Sequence, residues 1–97
     1  MNIEEIKNTL FKNKKDIQER FHVKTIGVFG SFVMNKQTKK SDIDILVEFK
    51  RGHKDFFNYM RLKYYLEESL ERKVDLVIKD AVKPEFRKRI FSEAIYA

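Results

Sequence analysis

The stretch that decides the fold runs from residue 30 to residue 49 and reads GSFVMNKQTKKSDIDILVEF. In its last eight residues, apolar and polar side chains alternate with a period of two, which predicts a β-strand with two different faces. The apolar face consists of Ile43, Ile45, Val47 and Phe49. The opposite face carries Asp42, Asp44, Leu46 and Glu48. We therefore expect the first set in a hydrophobic core and the two aspartates side by side on the other surface.

The N-terminal residues predict a helix. Apolar side chains recur at helical spacing from Ile3 to Ile17, and Asn2, followed three residues later by Glu5, is typical of a helix N-terminus. We therefore predict one helix that extends to about Arg20.

A strand and a loop are predicted between this helix and the strand at 42–49. Residues 23–29, VKTIGVF, are rich in β-branched and aromatic side chains and stop at Gly30, which indicates a buried strand ending in a sharp turn. Residues 35–41, NKQTKKS, are polar and positively charged, and we call them the basic loop. The loop is expected on the surface.

The second half of the chain predicts two helices and one more strand. A helix is expected from about Asp55 to Glu71, and the strand VDLVI follows at 74–78. Pro84, which is tolerated in a first helical turn, opens a last helix. The apolar stripe of that helix is predicted to be Phe86, Ile90, Ala94 and Ile95. The order αββαβα indicates a single α/β domain over residues 1–97, with a small mixed three-stranded sheet flanked by helices.

Composition excludes several classes of protein. The 97 residues are 42% hydrophobic, which is enough for one core and argues against disorder. No cysteine is present, so disulfide scaffolds, thiolate metal sites and cysteine nucleophiles are excluded, and the chain is compatible with a reducing cytoplasm. The apolar stretches are too short to span a bilayer. A net charge of +6 favours anionic partners such as nucleotides, nucleic acid or an acidic protein surface.

Three carboxylates are candidates for metal binding and catalysis. Asp42 and Asp44 alternate on one strand, so their carboxylates point the same way and repel each other. Asp75 supplies a third acid from the strand at 74–78. Mg²⁺ relieves such repulsion, since it is typically bound by one or two carboxylates together with substrate phosphates. Three carboxylates on two neighbouring strands could hold two metals, one on a triphosphate and one lowering the pKa of an attacking hydroxyl.

Gly30 and Ser31 are candidates for phosphate binding. Ten residues separate Ser31 from Asp42, and both residues of the GS pair lie where the first strand is predicted to end. A glycine lets the backbone approach a ligand, and amides after a strand, with the Ser31 hydroxyl, can donate to phosphate oxygens. Together with the acids, this is the outline of a nucleotidyl-transfer site.

A purely structural interpretation of the same residues is also open. Asp42 would cap the start of its strand, Asp44 would pair with a surface lysine, and Gly30 would be an ordinary turn residue. This interpretation must also supply a partner for Asp75, because a carboxylate buried in an otherwise apolar strand is costly when nothing pairs with it.

The sequence resembles the minimal nucleotidyltransferases of the DNA polymerase beta superfamily, often called MNT domains. The resemblance covers nearly the whole chain and rests on residues 30–49, on VDLVI at 74–78 and on KPEFRKRIFSEAIY at 83–96. It implies a mixed αβ fold that uses Mg²⁺ and a nucleoside triphosphate. It also implies an antitoxin that acts on a HEPN-domain toxin by transferring AMP from ATP to a tyrosine.

Carried over residue by residue, the resemblance assigns the metal-binding and catalytic acids to Asp42, Asp44 and Asp75. It assigns the nucleotide-binding turn to Gly30 and Ser31. One departure is apparent: the family commonly has arginine and then glycine soon after the GS pair, where this chain has Met34 and Asn35. A cation expected near the phosphates is therefore missing. The candidates to replace it are Lys36, Lys39 and Lys40.

Two other functions remain open on sequence grounds. A non-catalytic binding protein could keep this fold and neutralise a partner sterically, an interpretation that the departure at 34 and 35 supports. A basic RNA-binding module is indicated by lysine and arginine runs at 12–15, 39–40 and 87–89, but clustered carboxylates repel phosphate unless a metal intervenes.

His22 and His53 show no metal-ligand spacing and are interpreted as structural or surface residues. The aromatic set at 56, 57, 59, 64 and 65 is expected to be mostly core.

Overall fold

A four-stranded mixed sheet forms the centre of the molecule in the computed structural model, which describes residues 1–97. The strands are β1 (Val23–Phe29), β2 (Ile43–Phe49), β3 (Val74–Ile78) and β4 (Ile95–Tyr96). Their order across the sheet is β3-β2-β1-β4. β1 pairs antiparallel with β2 and with β4, whereas β2 and β3 run parallel. The predicted α/β class with a mixed sheet is confirmed, but the sheet has four strands rather than three.

Four α-helices accompany the sheet. They are α1 (Ile3–Lys12), α2 (Lys14–Arg20), α3 (Phe56–Leu70) and α4 (Pro84–Glu93). Two short 3₁₀ turns, Gly30–Phe32 and Lys79–Ala81, follow β1 and β3.

The prediction of one continuous N-terminal helix is wrong, because the helix breaks at Asn13. The amide side chain of Asn13 donates a 2.8 Å hydrogen bond to the carbonyl oxygen of Thr9. The Asn13 backbone has left the helical region, with φ −99° and ψ 6°. Asparagine side chains offer the backbone such alternative hydrogen bonds, so they favour helix ends over helix interiors. The predicted start is confirmed, since Asn2 Oδ1 accepts from the amide of Glu5 at 3.0 Å.

The helix α3 matches its prediction closely. Asp55 is its N-cap and accepts a hydrogen bond from the amide of Asn58 at 2.9 Å. Its buried apolar residues recur every four positions, at Leu62, Leu66 and Leu70, so one stripe of the helix packs on the sheet.

One hydrophobic core lies between α1, α2, α3 and one face of the sheet, and seventeen buried side chains form it. The period-two prediction for β2 is confirmed, since the four residues of its apolar face all belong to this core: Ile43, Ile45, Val47 and Phe49. Leu46 is also buried, but it lies on the other face with Asp44 and Glu48 and is outside the main cluster. The radius of gyration is 12.5 Å, close to the value of about 13 Å for a compact chain of this length.

The C-terminal prediction is wrong in two respects. α4 ends at Glu93, so Ala94 and Ile95 do not continue its apolar stripe; Ile95 instead starts β4. The cause lies in β1, where Gly27 leaves room for the added strand: a Cβ there would stand 2.9 Å from the carbonyl oxygen of Ile95. Phe86 is 42% exposed, and no residue of α4 is fully buried.

The expectation that the aromatic side chains of α3 lie mostly in the core is only partly right. Phe56, Phe57 and Tyr64 are exposed, because they lie on helix positions that face away from the sheet. Tyr59 and Tyr65 pack against the core as expected. None of the helices has both the length and the apolar character needed to cross a membrane.

Candidate active site

The parallel pairing of β2 with β3 brings two predicted acids together. Asp44 lies opposite Asp75 in the register of the two strands, so both side chains emerge on the same face of the sheet. On its other side Asp44 is paired with Phe29, the last residue of β1, and Gly30 follows directly. Four of the five predicted site residues, Gly30, Ser31, Asp44 and Asp75, therefore meet at one end of the sheet.

Gly30 is required at its position for two reasons. Its φ of +75° is in the left-handed region, which residues with a side chain rarely adopt. A Cβ added at Gly30 would also overlap the carboxylate oxygen Oδ2 of Asp44. The missing side chain thus lets the turn after β1 close directly over the Asp44 carboxylate.

The surroundings of Asp44 raise its pKa above the usual value of 3.8. Burial is the largest cause, because it penalises the charged form, and the negative charges of Asp75 and Asp42 act in the same direction. A backbone hydrogen bond from Ser31 opposes these effects by stabilising the carboxylate. Asp44 is therefore a half-buried acid whose charge a cation at this place would stabilise.

The structural interpretation of these acids fails for Asp44. Asp44 takes part in none of the four ion pairs of the protein, so it is not paired with a surface lysine. Asp75 is exposed, so the expectation that it is buried is wrong, and the burial cost that counted against the structural interpretation does not arise. Its carboxylate instead faces solvent beside Asp44.

Asp42 occupies a different environment from the other two acids. It lies immediately before β2 and is exposed, although its charge is near enough to raise the pKa of Asp44. No group of three or more acidic or histidine side chains is arranged to hold a metal ion. The strand-borne pair Asp44 and Asp75 is in place, and Asp42 is next to it at the strand entrance.

The turn after Gly30 explains one of the departures from the family pattern. Asn35, at the position where the resemblance implies glycine, has φ +55°. Asparagine is among the few residues with a side chain that adopt this conformation readily, so it is compatible with this position. Met34 is 47% exposed and provides no charge in place of the implied arginine.

The three lysines of the basic loop are free to meet an anion. Lys36, Lys39 and Lys40 are all exposed, and none of them forms an ion pair. The loop is fixed at its beginning, where the amide of Lys36 donates to the carbonyl oxygen of Ser31 at 2.8 Å. At its end, backbone carbonyls of the loop accept hydrogen bonds from Arg72. The sequence did not predict this role of Arg72, because the acceptors are main-chain atoms distant in the chain.

The two histidines lie away from this site and contact each other. The rings of His22 and His53 stack with a centroid distance of 3.8 Å and an interplanar angle of 16°. They flank the ends of β1 and β2 that are opposite to Asp44. This arrangement agrees with a structural role.

The sequence has close relatives among nucleotide-transferring proteins. The family model of the nucleotidyltransferase domain matches residues 11–97. A candidate protein adenylyltransferase of Methanocaldococcus jannaschii is 50% identical to this chain over 95 residues, which are 97% of the chain and 96% of the relative. The protein adenylyltransferase MntA of Thermococcus cleftensis is 40% identical over 96 residues, which are 99% of the chain and 96% of that protein.

Solved structures share the fold. A structure described as a candidate minimal nucleotidyltransferase has a TM-score of 0.82 and 29% identity, with 98% of this chain and 95% of that chain covered. A tri-AMPylated HEPN toxin of Shewanella oneidensis in complex with its MNT antitoxin gives a TM-score of 0.66 at 22% identity, with 96% and 69% covered. A toxin–antitoxin structure with AMP-PNP gives 0.73 at 24% identity, with 93% and 70% covered.

Proposed function

Because the chain belongs to the nucleotidyltransferase domain family, we propose that it transfers AMP from ATP, in a Mg²⁺-dependent reaction, to a tyrosine hydroxyl of a HEPN-domain toxin and so acts as an antitoxin. The observation that carries the proposal is the register pair Asp44 and Asp75 beside the turn at Gly30, where a side chain would overlap the Asp44 carboxylate. Two adjacent carboxylates that lack cationic partners, next to a glycine turn, support the binding of a metal-bound triphosphate.

The three acids have different roles in the proposed reaction. Asp42, Asp44 and Asp75 would hold two Mg²⁺ ions, and the half-buried, repelled carboxylate of Asp44 fits this role because a cation offsets the penalty on its charge. When bound, the metal supplies charge neutralisation at the phosphates and lowers the pKa of the acceptor hydroxyl. Asp75, which is exposed, is accessible to that hydroxyl and can accept its proton.

Gly30 and Ser31 hold the β- and γ-phosphates. The Ser31 hydroxyl would donate to the phosphate oxygens and Gly30 would let the backbone approach them, which would orient the α-phosphorus for in-line attack. The acceptor oxygen then forms a bond to the α-phosphorus, the bond to the β-phosphate oxygen breaks, and pyrophosphate leaves. The proton of the acceptor hydroxyl passes to Asp75.

The proposed acceptor class comes from the relatives. Full-length similarity to a protein adenylyltransferase favours a protein acceptor over a small molecule. A HEPN toxin carries AMP in the structure of the same fold from Shewanella oneidensis, which makes a HEPN-domain protein the partner to test.

The first prediction separates AMP transfer from simple binding. When the protein is incubated with Mg²⁺, ATP labelled on the α-phosphate and a purified HEPN-domain partner, we expect the label on the partner, whereas ATP labelled on the γ-phosphate should give none. Asp42→Ala and Asp75→Ala should each lower labelling by more than about 100-fold, the upper range for residues that only support metal ligands. The label is detected on gels and its site by peptide mass spectrometry.

Asp80→Ala is the matched control, because Asp80 is an exposed acid that pairs with Lys54 outside the site. It should label the partner like the wild type. Undiminished labelling by Asp75→Ala would refute the assignment of the acids. Equal neutralisation of the toxin by wild type and Asp42→Ala, with no label in either case, would instead support a non-catalytic antitoxin.

A further inference from the structure

One guanidinium connects the basic loop to the body of the domain. Arg72 Nε donates to the carbonyl oxygen of Ser41 at 2.9 Å, and its Nη2 donates to the carbonyl oxygens of Thr38 and Lys39 at 3.0 and 2.9 Å. Its guanidinium carbon lies 5.1 Å from the centroid of the Phe32 ring. Arg72 thus binds three carbonyls of the loop and one aromatic side chain of the turn that contains Gly30 and Ser31.

The geometry of these bonds requires arginine. Its planar fork presents several N–H donors in fixed directions, whereas the single ammonium of lysine cannot span three carbonyls while it stacks on a ring. Arg72 forms no ion pair, so its hydrogen-bonding capacity is directed to the backbone.

The main chain at Arg72 is itself firmly placed. Glu71, immediately before it, caps α3 in the left-handed conformation with φ +52°. The amide of Val74, two residues later, donates to the Glu67 carboxylate at 3.0 Å. Arg72 therefore extends from a rigid joint between α3 and β3 to a loop that lies next to the site.

The loop depends on this contact for its shape. Residues 38–41 form a small turn in which the amide of Thr38 donates to Ser41 Oγ at 2.8 Å and the amide of Ser41 donates to the Thr38 carbonyl oxygen at 3.1 Å. These bonds are internal to the turn and do not fix its direction. Arg72 fixes the direction, and the turn carries Lys39 and Lys40, which only Ser41 separates from Asp42.

We propose that Arg72 is a positioning residue that orients the basic loop so that Lys39 and Lys40 neutralise the β- and γ-phosphates of the nucleotide. The inference rests on the proposed function, since it names the source of the charge that Met34 does not supply. Arg72 acts through the loop rather than on the phosphates, because its Nε and Nη2 groups are engaged with carbonyl oxygens of the loop. Cations held in place before binding stabilise the charge that develops on the leaving pyrophosphate.

The test is a double-mutant cycle on Mg²⁺-dependent ATP binding, measured by calorimetry. Arg72→Ala should weaken ATP binding by about tenfold, as loss of charge-assisted phosphate contacts typically does. The variant with Lys39→Ala and Lys40→Ala should show a similar loss. Because Arg72 acts through these lysines, adding Arg72→Ala to that variant should cost little more. Hydrogen exchange should rise at the amides of residues 39–42 in Arg72→Ala while the β-strands stay protected.

Two further variants test whether weaker ATP binding in Arg72→Ala is caused only by a general loss of structure. Arg72→Lys keeps the positive charge and a long aliphatic stem but loses the planar fork, so it should fold like the wild type yet still bind ATP more weakly. Arg20→Ala is the matched control: it removes a guanidinium stacked over Phe21 and Tyr65, away from the loop, and should leave ATP binding unchanged.

The outcomes separate this inference from the proposed function. Wild-type affinity in both Arg72 variants, or losses that multiply when the Arg72 and lysine substitutions are combined, would overturn the inference and leave the proposed function intact. Failure of the wild type itself to bind ATP with Mg²⁺ would overturn both.

Discussion

At the scale of single residues, the charge of the half-buried Asp44 lowers the stability of the folded protein. Its raised pKa means that the folded protein holds the Asp44 proton more tightly than the unfolded chain does. Folding stability due to this group is therefore greatest below its unfolded pKa and falls as the pH rises through the raised pKa. At neutral pH, without a cation, the full penalty is present.

Asp44→Asn should therefore raise the midpoint of thermal unfolding at pH 7 in the presence of a chelator. Asparagine removes the charge but keeps an oxygen that can accept from the Ser31 amide. The difference from the wild type should disappear at a pH below 3.8, where the carboxyl is protonated in both states. Adding Mg²⁺ should stabilise the wild type and not the variant. A wild type that is more stable than Asp44→Asn at pH 7 in chelator would contradict the electrostatic account.

At the scale of elements, the sequence predicted the parts that depend on local pattern. The alternation in β2 placed Asp44 on the open face, and the strand at 74–78 placed Asp75 beside it. The strand β4 was missed because it has two residues, too few to show a period, and because it depends on the space at Gly27, almost seventy residues earlier in the chain. Arg72 was missed for a similar reason, since its partners are main-chain oxygens that leave no mark on the sequence.

Gly27→Ala tests the origin of β4. The new methyl group would approach the carbonyl oxygen of Ile95 to 2.9 Å, and because that atom is backbone, the strand must shift. We expect a loss of about 1–3 kcal/mol in the free energy of unfolding, measured by urea denaturation. In a chain that ends at Ala94 the same substitution should cost much less. An equal cost in both chains would show that β4 does not require the glycine.

At the scale of the whole molecule, the positive charge is divided among separate elements. The runs at 12–15, 39–40 and 87–89 lie at the junction of α1 with α2, on the basic loop and on α4. An RNA-binding surface needs its cations along one path, since affinity comes from many simultaneous phosphate contacts. The net charge of +6 therefore favours encounter with anions in general over a dedicated RNA surface.

Binding to a labelled single-stranded RNA should accordingly be weak and non-specific. Replacing residues 87–89 by alanine should reduce the dependence of log K on log salt by about 0.7 for each RNA phosphate that these side chains neutralise, without affecting ATP binding. Fluorescence anisotropy over a salt series measures this slope. Tight, sequence-selective binding that survives about 200 mM salt and disappears in this variant would indicate an RNA-binding protein instead.

The pairing of Asp44 with Asp75 also bears on how the chain avoids folding incorrectly. β2 and β3 run parallel, and Leu46 and Val77 give each strand an apolar residue on its second face, so apolar residues alone do not distinguish the two faces completely. A slip of β3 by one position would turn Asp75 towards the core beside Ile43 and Ile45, where an unpaired carboxylate is strongly disfavoured. Asp75, the acid proposed for catalysis, thus also disfavours pairing of β3 in the wrong register. A variant with an apolar residue at position 75 would lose this effect.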